Sequence, residues 1–296
     1  MTDYSAFVPD VHFEKIPIKN LVSNQTYQRN LSIAHIQKTA EHFDVRQINP
    51  VKVSRRDGVN YVFNGQHTIE IVAAISGSRD TPVWCMVYDG MDYMEEADTF
   101  AKQQKFVKPL MPYEIFMANI EAGNDDQILI KSLAESYQLR ISSKKGPNCV
   151  CAISAIESIY HRYGLNTLDR TLRLCVASWE GEPESLTANI IKGIALLVTA
   201  FGDSLRDDLF QEKVGKFSSR EITRSARERK MGSMGYAEAM LSLYNKKTRY
   251  PLRWTQLHEL QSKRAGIIEN TAVDENGDGN HIFFEKPPLT NQDIFG

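Results

Sequence analysis

The sequence predicts an α+β chain: a small sheet with helices over residues 1–122, a mainly α-helical region over residues 123–265, and a tail over residues 266–296 carrying a hairpin-like acidic turn. Three observations predict it. Short β-rich runs alternate with helical runs as far as residue 122, and Pro109 and Pro112 then punctuate the chain. From Asp125 onward the apolar residues recur at helical spacing in long segments.

The elements follow in order. Residues 13–21 (FEKIPIKNL) alternate in places and end at the turn-prone Ser23 and Asn24, as a first strand would. Ser32 caps a predicted helix whose apolar positions Ile33, Ile36, Ala40 and Phe43 share a face, before Asn49 and Pro50 stop it. Residues 50–54 and 60–63 read as two strands joined through Asp57-Gly58, a hairpin signal. After Phe63 comes the turn Asn64-Gly65, then a helix over residues 66–76, a strand over 82–88, and helices over 93–106 and 113–122. The second half predicts helices over 128–137, 149–163, 165–179, 187–201 and 233–244, with a surface loop at 141–147.

Bulk composition narrows the classes. With 296 residues and 42% hydrophobic content the chain can bury a core, and its net charge of -2 gives no global attraction to polyanions or membranes. Any such affinity must come from a local patch. No apolar run reaches the roughly 18 residues of a spanning helix, and residues 1–11 are acidic and polar where a secretory signal is basic and then apolar, so a cytoplasmic location away from membranes is expected. The four cysteines (Cys85, Cys149, Cys151 and Cys175) lack paired CxxC spacing and read as buried free thiols.

The turn at Asn64-Gly65 carries the functional argument. A strand turning at once into a helix leaves unpaired backbone N–H groups at the helix start, where the macrodipole also favours anions. Gly65 admits a positive φ and close ligand approach, while Gln66, His67 and Thr68 add donors. An ordinary strand-to-helix connection with a polar cap uses the same residues.

The order of elements around this turn resembles the ParB/sulfiredoxin superfamily. The matching pieces are Ile16-Pro17-Ile18 leading to Tyr27-Gln28-Arg29, the helix to Phe43, Asn49-Pro50-Val51-Lys52-Val53, the hairpin, and Phe63-Asn64-Gly65-Gln66-His67-Thr68. The Pro82-Val83 strand and Leu110-Met111-Pro112-Tyr113-Glu114 follow, so the resemblance spans residues 13–120. The loop is similar to the DGQHR type of phage, plasmid and DNA-modification proteins, in the form NGQHT. The resemblance implies a ParB-like small mixed sheet and a pocket for CTP or ATP with magnesium, lined by Gln28, Arg29, Asn64, Gly65, Gln66, His67 and Thr68. Where ParB proteins complete the pocket with a later Asn and Arg, residues 101–106 offer Lys102 and Lys105, which also read as the solvated face of a helix. Thr68 stands where an arginine is expected and removes one charge-assisted phosphate contact. Gln66 replaces the catalytic cysteine of sulfiredoxins, and Asn64 replaces the aspartate of related free-serine kinases, which disfavours both activities.

Two other signals stand apart. Asp274, Asn276, Asp278 and Glu285 fit the spacing of a calcium loop, but Lys286-Pro287-Pro288 prevents an exit helix, so a polar hairpin turn is the preferred reading and weak calcium binding the alternative. Residues 213–230 are basic, and Arg220, Arg224 and Arg227 share a helix face that, with Lys246 and Lys247, forms a candidate nucleic-acid surface or a solvated helix.

The leading expectation is a ParB-like, DNA-associated, nucleotide-responsive binding protein of a phage, plasmid or other mobile element, with a homodimer among its possible states. The alternatives are a nuclease or nucleotide hydrolase using His67 with a metal held by carboxylates such as Glu70, and an interaction scaffold that has lost its ligand.

Overall fold

The structure, a computed structural model, describes residues 8–23, 27–28 and 30–259. The chain divides between Lys108 and Pro109 into two compact units. It is α+β, as the sequence predicts: a small mixed sheet with helices, then a helical region.

The first unit contains β1 (His12–Pro17), β2 (Leu21–Ser23), α1 (Ile33–Glu41), β3 (Val51–Arg56), β4 (Val59–Asn64), α2 (Gln66–Ser76), β5 (Pro82–Asp89) and α3 (Tyr93–Phe106). Its five strands form one sheet in the order β1-β5-β3-β4-β2, antiparallel at β1/β5 and β3/β4 and parallel at β5/β3 and β4/β2. The hairpin forms as its Asp-Gly pair requires, with Asp57 at φ 50° and Gly58 at φ 76°, the twist that suits a two-residue turn. On β5 the alternation is clean: Val83, Cys85 and Val87 are buried while Trp84 faces solvent. With Ile16, Val51, Val53, Val62 and Ile69 they make the core.

The single strand expected over residues 13–21 is instead two strands on opposite edges of the sheet, separated by a 3-10 turn at Ile18–Asn20. A flat five-stranded sheet puts its edges about 19 Å apart, yet Pro17 to Leu21 spans at most about 14 Å. The sheet must therefore curl until its edges approach. The buried Ile18, whose N–H donates to the Thr81 carbonyl, pins the crossing.

The second unit contains α4 (Pro112–Glu121), α5 (Asp125–Ser136), β6 (Arg140–Ile141), β7 (Cys149–Val150), α6 (Ile153–Tyr163), α7 (Leu165–Trp179), α8 (Ala188–Phe201), α9 (Asp207–Lys213), α10 (Ser219–Arg227) and α11 (Ser233–Asn245). Most of α8 is buried, including Ile190, Ile191, Ile194 and Leu197, so it forms the central post. It packs against α6, α7 and α11. A Cβ at Gly193 would lie 2.9 Å from Met240 Cε, 3.0 Å from Tyr236 Cβ and 3.2 Å from the Ala237 backbone nitrogen, so glycine is what lets α8 and α11 cross this closely.

Two expectations need correction here. The helix read over 149–163 begins at Ile153, because Cys149 and Val150 pair in parallel with Arg140 and Ile141. The backbone of the 141–147 loop returns the chain to that pairing, a long-range event that helical spacing does not reveal. The cysteines are all free, but only Cys85 and Cys175 are buried; Cys149 and Cys151 are half-buried. Burial pushes the Cys175 thiol up to about 12 and that of Cys85 up to about 11. No described helix is long and apolar enough to cross a membrane.

Candidate functional site

The turn between β4 and α2 has the geometry its residues predict. Gly65 sits at φ 106°, and α2 starts without a side-chain cap or an acidic residue in its first turn. A Cβ at Gly65 would press on Val51 at 3.2 Å from its Cα, so β3 lies directly under the turn. Gln66 is buried, His67 and Thr68 half-buried. Gln28 is buried too, and its Nε2 donates to the Val62 carbonyl on β4, which places the 27–28 segment beside the strand that feeds the turn. Arg29 lies outside the described residues.

The charged candidates at this turn have other partners. His67 Nε2 accepts from the Ser32 backbone N–H at 3.4 Å, and its ring meets that of His35 edge-on at 5.5 Å. Glu70 is held by Arg79 in a two-fold pair at 3.0 and 3.1 Å. Asn64 Nδ2 donates to Gln103 Oε1 on α3 at 3.1 Å. Lys102 and Lys105 lie about 100° and 200° around that helix from Gln103, so they point away from the turn. Lys102 pairs with Asp98 at 2.6 Å, and Lys105 stands 5.6 Å from the centre of the Phe106 ring. Among the described residues no group of three or more histidine, cysteine, aspartate or glutamate side chains could hold a metal ion.

Sequence reasoning missed two features of this unit. Lys52 lies opposite Asn64 in the β3/β4 register and forms no ion pair among the described residues, which makes it the cation nearest the turn in the ladder. Its place in the Val51-Lys52-Val53 strand was legible, but its partner across the sheet was not. The second feature is a buried polar knot. Glu96, fully buried on α3, receives Arg56 from β3 and the Tyr27 hydroxyl at 3.1 Å. Arg56 also donates to the Met91 carbonyl at 2.9 Å and lies over the Tyr61 ring at 4.3 Å. Burial, then the charge of Glu96, pushes the Tyr27 phenol up, so it acts as donor.

The second unit carries an open cleft of about 780 Å3. Arg220, Arg224 and Arg227 line it from α10, whose opposite face buries Ile222 and Ala226. Thr187 and Asn189 at the start of α8 and Tyr236 on α11 form the other walls. Ser218 accepts from the Glu221 N–H in a capping box that fixes α10. Two glutamates also line the cleft. Glu184 pairs with Arg220 at 3.3 Å, which holds its carboxyl below its ordinary value, and Glu228 ends α10. Neither Arg224 nor Arg227 has a carboxylate within ion-pair distance among the described residues.

Lys246 and Lys247 do not join this group. They follow the far end of α11, about 15 Å along the helix from Tyr236, where Lys213 Nζ donates to the Lys246 carbonyl at 2.9 Å. Asp274, Asn276, Asp278 and Glu285 lie outside the described residues.

A family model described as a family of unknown function (DUF6551) matches residues 22–252. No curated protein matches the chain. Among solved structures, the C-terminally truncated chromosome-partitioning protein ParB from Caulobacter crescentus, complexed with CTP-gamma-S, is similar at 11% identity and a TM-score of 0.32, covering 78% of this chain and 99% of that one. At that score the likeness carries no argument about the site.

Proposed function

Because this chain belongs to DUF6551, a family of unknown function, we propose a role from its own geometry: it binds the phosphate backbone of nucleic acid in the arginine cleft of the helical unit, and its Gly65 turn is a nucleotide-phosphate site. The observation that carries the first part is the pair Arg224 and Arg227, both lining the cleft without a carboxylate partner among the described residues. A planar guanidinium presents paired donors that match phosphate oxygens. With a net charge of -2 the whole protein does not draw polyanions, so binding depends on this local patch.

Fluorescence anisotropy with a labelled DNA oligonucleotide tests it. Binding at low salt should weaken steeply as salt rises. Replacing both Arg224 and Arg227 by glutamine should lower affinity about a hundredfold, because each guanidinium removed takes one charge-assisted phosphate interaction with it. Wild-type protein that leaves DNA free at low salt would overturn the reading.

The nucleotide part rests on the Gly65 turn, the capless start of α2 and Lys52 across the ladder. The sequence resemblance to ParB-like domains supplies CTP, then ATP, as ligands to try with magnesium. Calorimetric titration should show binding that Gly65→Glu abolishes and Lys52→Gln weakens; heat unchanged in both variants would remove the turn from the account.

A further inference from the structure

A second, smaller cavity of about 150 Å3 lies between α6, α8 and the first turn of α11. Arg162 and Lys192 line it together with the hydroxyl-bearing Ser158 and Ser233, over an apolar floor of Ile159 and Leu196. Neither cation forms an ion pair or hydrogen bond among the described residues. Lys192 is half-buried and is the only charged residue in α8, a helix most of which is buried. A partly buried ammonium that faces a cavity without an anion has a free-energy reason to recruit one.

The two cavities share two walls. On α8, Asn189 lines the cleft and Lys192 the pocket; on α11, Tyr236 lines the cleft and Ser233 the pocket. Residues three apart on a helix are surface neighbours about 5–6 Å apart, so on each wall the lining of one cavity lies next to the lining of the other. Gly193 sits at the crossing and permits the close approach of these two helices. Cations therefore line both of these neighbouring cavities, the α10 arginines in the cleft and Lys192 and Arg162 in the pocket. The rise from Arg220 to Arg227 alone is about 10 Å, more than one phosphate group covers.

We infer that the Arg162/Lys192/Ser158/Ser233 pocket seats a further phosphodiester of the same nucleic-acid strand that lies in the arginine cleft. The inference rests on the proposed function above. The pocket has room for a phosphate group, with two cations for its charge and two hydroxyls as donors. Backbone contacts of this kind fix register without reading sequence.

Anisotropy titrations of the full chain with single-stranded and duplex oligonucleotides over a range of salt test it. In the Arg162→Gln/Lys192→Gln variant the slope of log affinity against log salt should shrink by about 1 per cation removed. Ser233→Glu, which puts a carboxylate in the pocket, should weaken binding at least as much, with circular dichroism as the check that both variants stay folded. Wild-type binding that responds to the Arg224/Arg227 substitutions, with affinity and slope unchanged in both pocket variants, would overturn the inference alone. No wild-type binding would overturn the proposed function and this inference with it. Millimolar inorganic phosphate separates a free-anion site: a thermal shift that the pocket substitutions remove, with unchanged oligonucleotide affinity, would also overturn the inference.

Discussion

Arg56 in the sheet unit and Arg224 in the helical unit are the same residue type in opposite circumstances. Arg56 holds the buried Glu96, donates to the Met91 carbonyl and covers the Tyr61 ring, so its charge is satisfied inside the unit. Arg224 faces an open cleft and forms no ion pair among the described residues, although Glu228 lines the same cleft. The pattern extends to their neighbours. Around the Gly65 turn, Glu70 is held by Arg79 and Lys102 by Asp98, whereas Arg227, Arg162 and Lys192 keep their cavities positive. Both units use ion pairs to hold elements together, Arg56–Glu96 in the first and Arg170–Asp207 in the second; what sets the second apart is a group of cavity-lining cations, Arg224, Arg227, Arg162 and Lys192, with no carboxylate at ion-pair distance among the described residues.

The sharpest way to break that contrast is Glu96→Ala. It leaves Arg56 without its anion and the Tyr27 hydroxyl without its acceptor, and because the Arg56 side chain is 22% exposed the loss should fall near the low end for a broken buried pair, about 3 kcal/mol in denaturant unfolding. Oligonucleotide binding should persist below the transition. If binding is lost while the protein is still folded, the two units do not divide the work as described.

Gly193→Val probes the other side. Its added methyls meet Tyr236 and Met240, and overpacking at this crossing should cost about 2 kcal/mol and weaken oligonucleotide binding, because both cavities share α8 and α11 there. Retained affinity would show that the cavities do not depend on the crossing. A smaller effect is expected at Gly65→Ala, about 1–2 kcal/mol from a left-handed backbone and the contact with Val51, with loss of nucleotide heat but not of oligonucleotide affinity.

The smallest effect sharpens the cleft itself. Glu184→Gln releases Arg220 and should raise oligonucleotide affinity on the order of threefold near neutral pH. The wild type carries the same change within its acid titration. Since Arg220 holds the Glu184 carboxyl below its ordinary 4.5, the stabilisation from this pair is present above pH 4.5 and lost as pH falls through the lowered value. In that window the gap in affinity between wild type and Glu184→Gln should close; a gap that stays constant with pH would remove Glu184 as the brake on Arg220.

Most secondary structure was legible because local chemistry dictates it. Ser32 caps α1, Asp57-Gly58 closes the hairpin, and Gly65 takes the positive φ that its place between strand and helix demands. Lys192 was legible too, as the lone charge in an apolar helix, yet nothing nearby in sequence marks the cavity it faces. The Arg220, Arg224 and Arg227 face followed from spacing alone, whereas the separation of Lys246 and Lys247 from it required the length and direction of α11.

The sequence by itself determined most strands and helices, where the β4–α2 turn falls and which face of α10 is basic, since these depend on residues within a turn or two of one another; the split of residues 13–21 into two edge strands and the β6/β7 pairing did not follow from it. Tertiary structure decided which charges are paired. Glu96 meets Arg56 across 40 positions, Lys52 faces Asn64 across a ladder, and Arg162 and Lys192 meet at one pocket because α6 and α8 pack. A charge's partner is set by distance in space, which follows packing and not position along the chain, so only the fold could show which cations remain for a ligand.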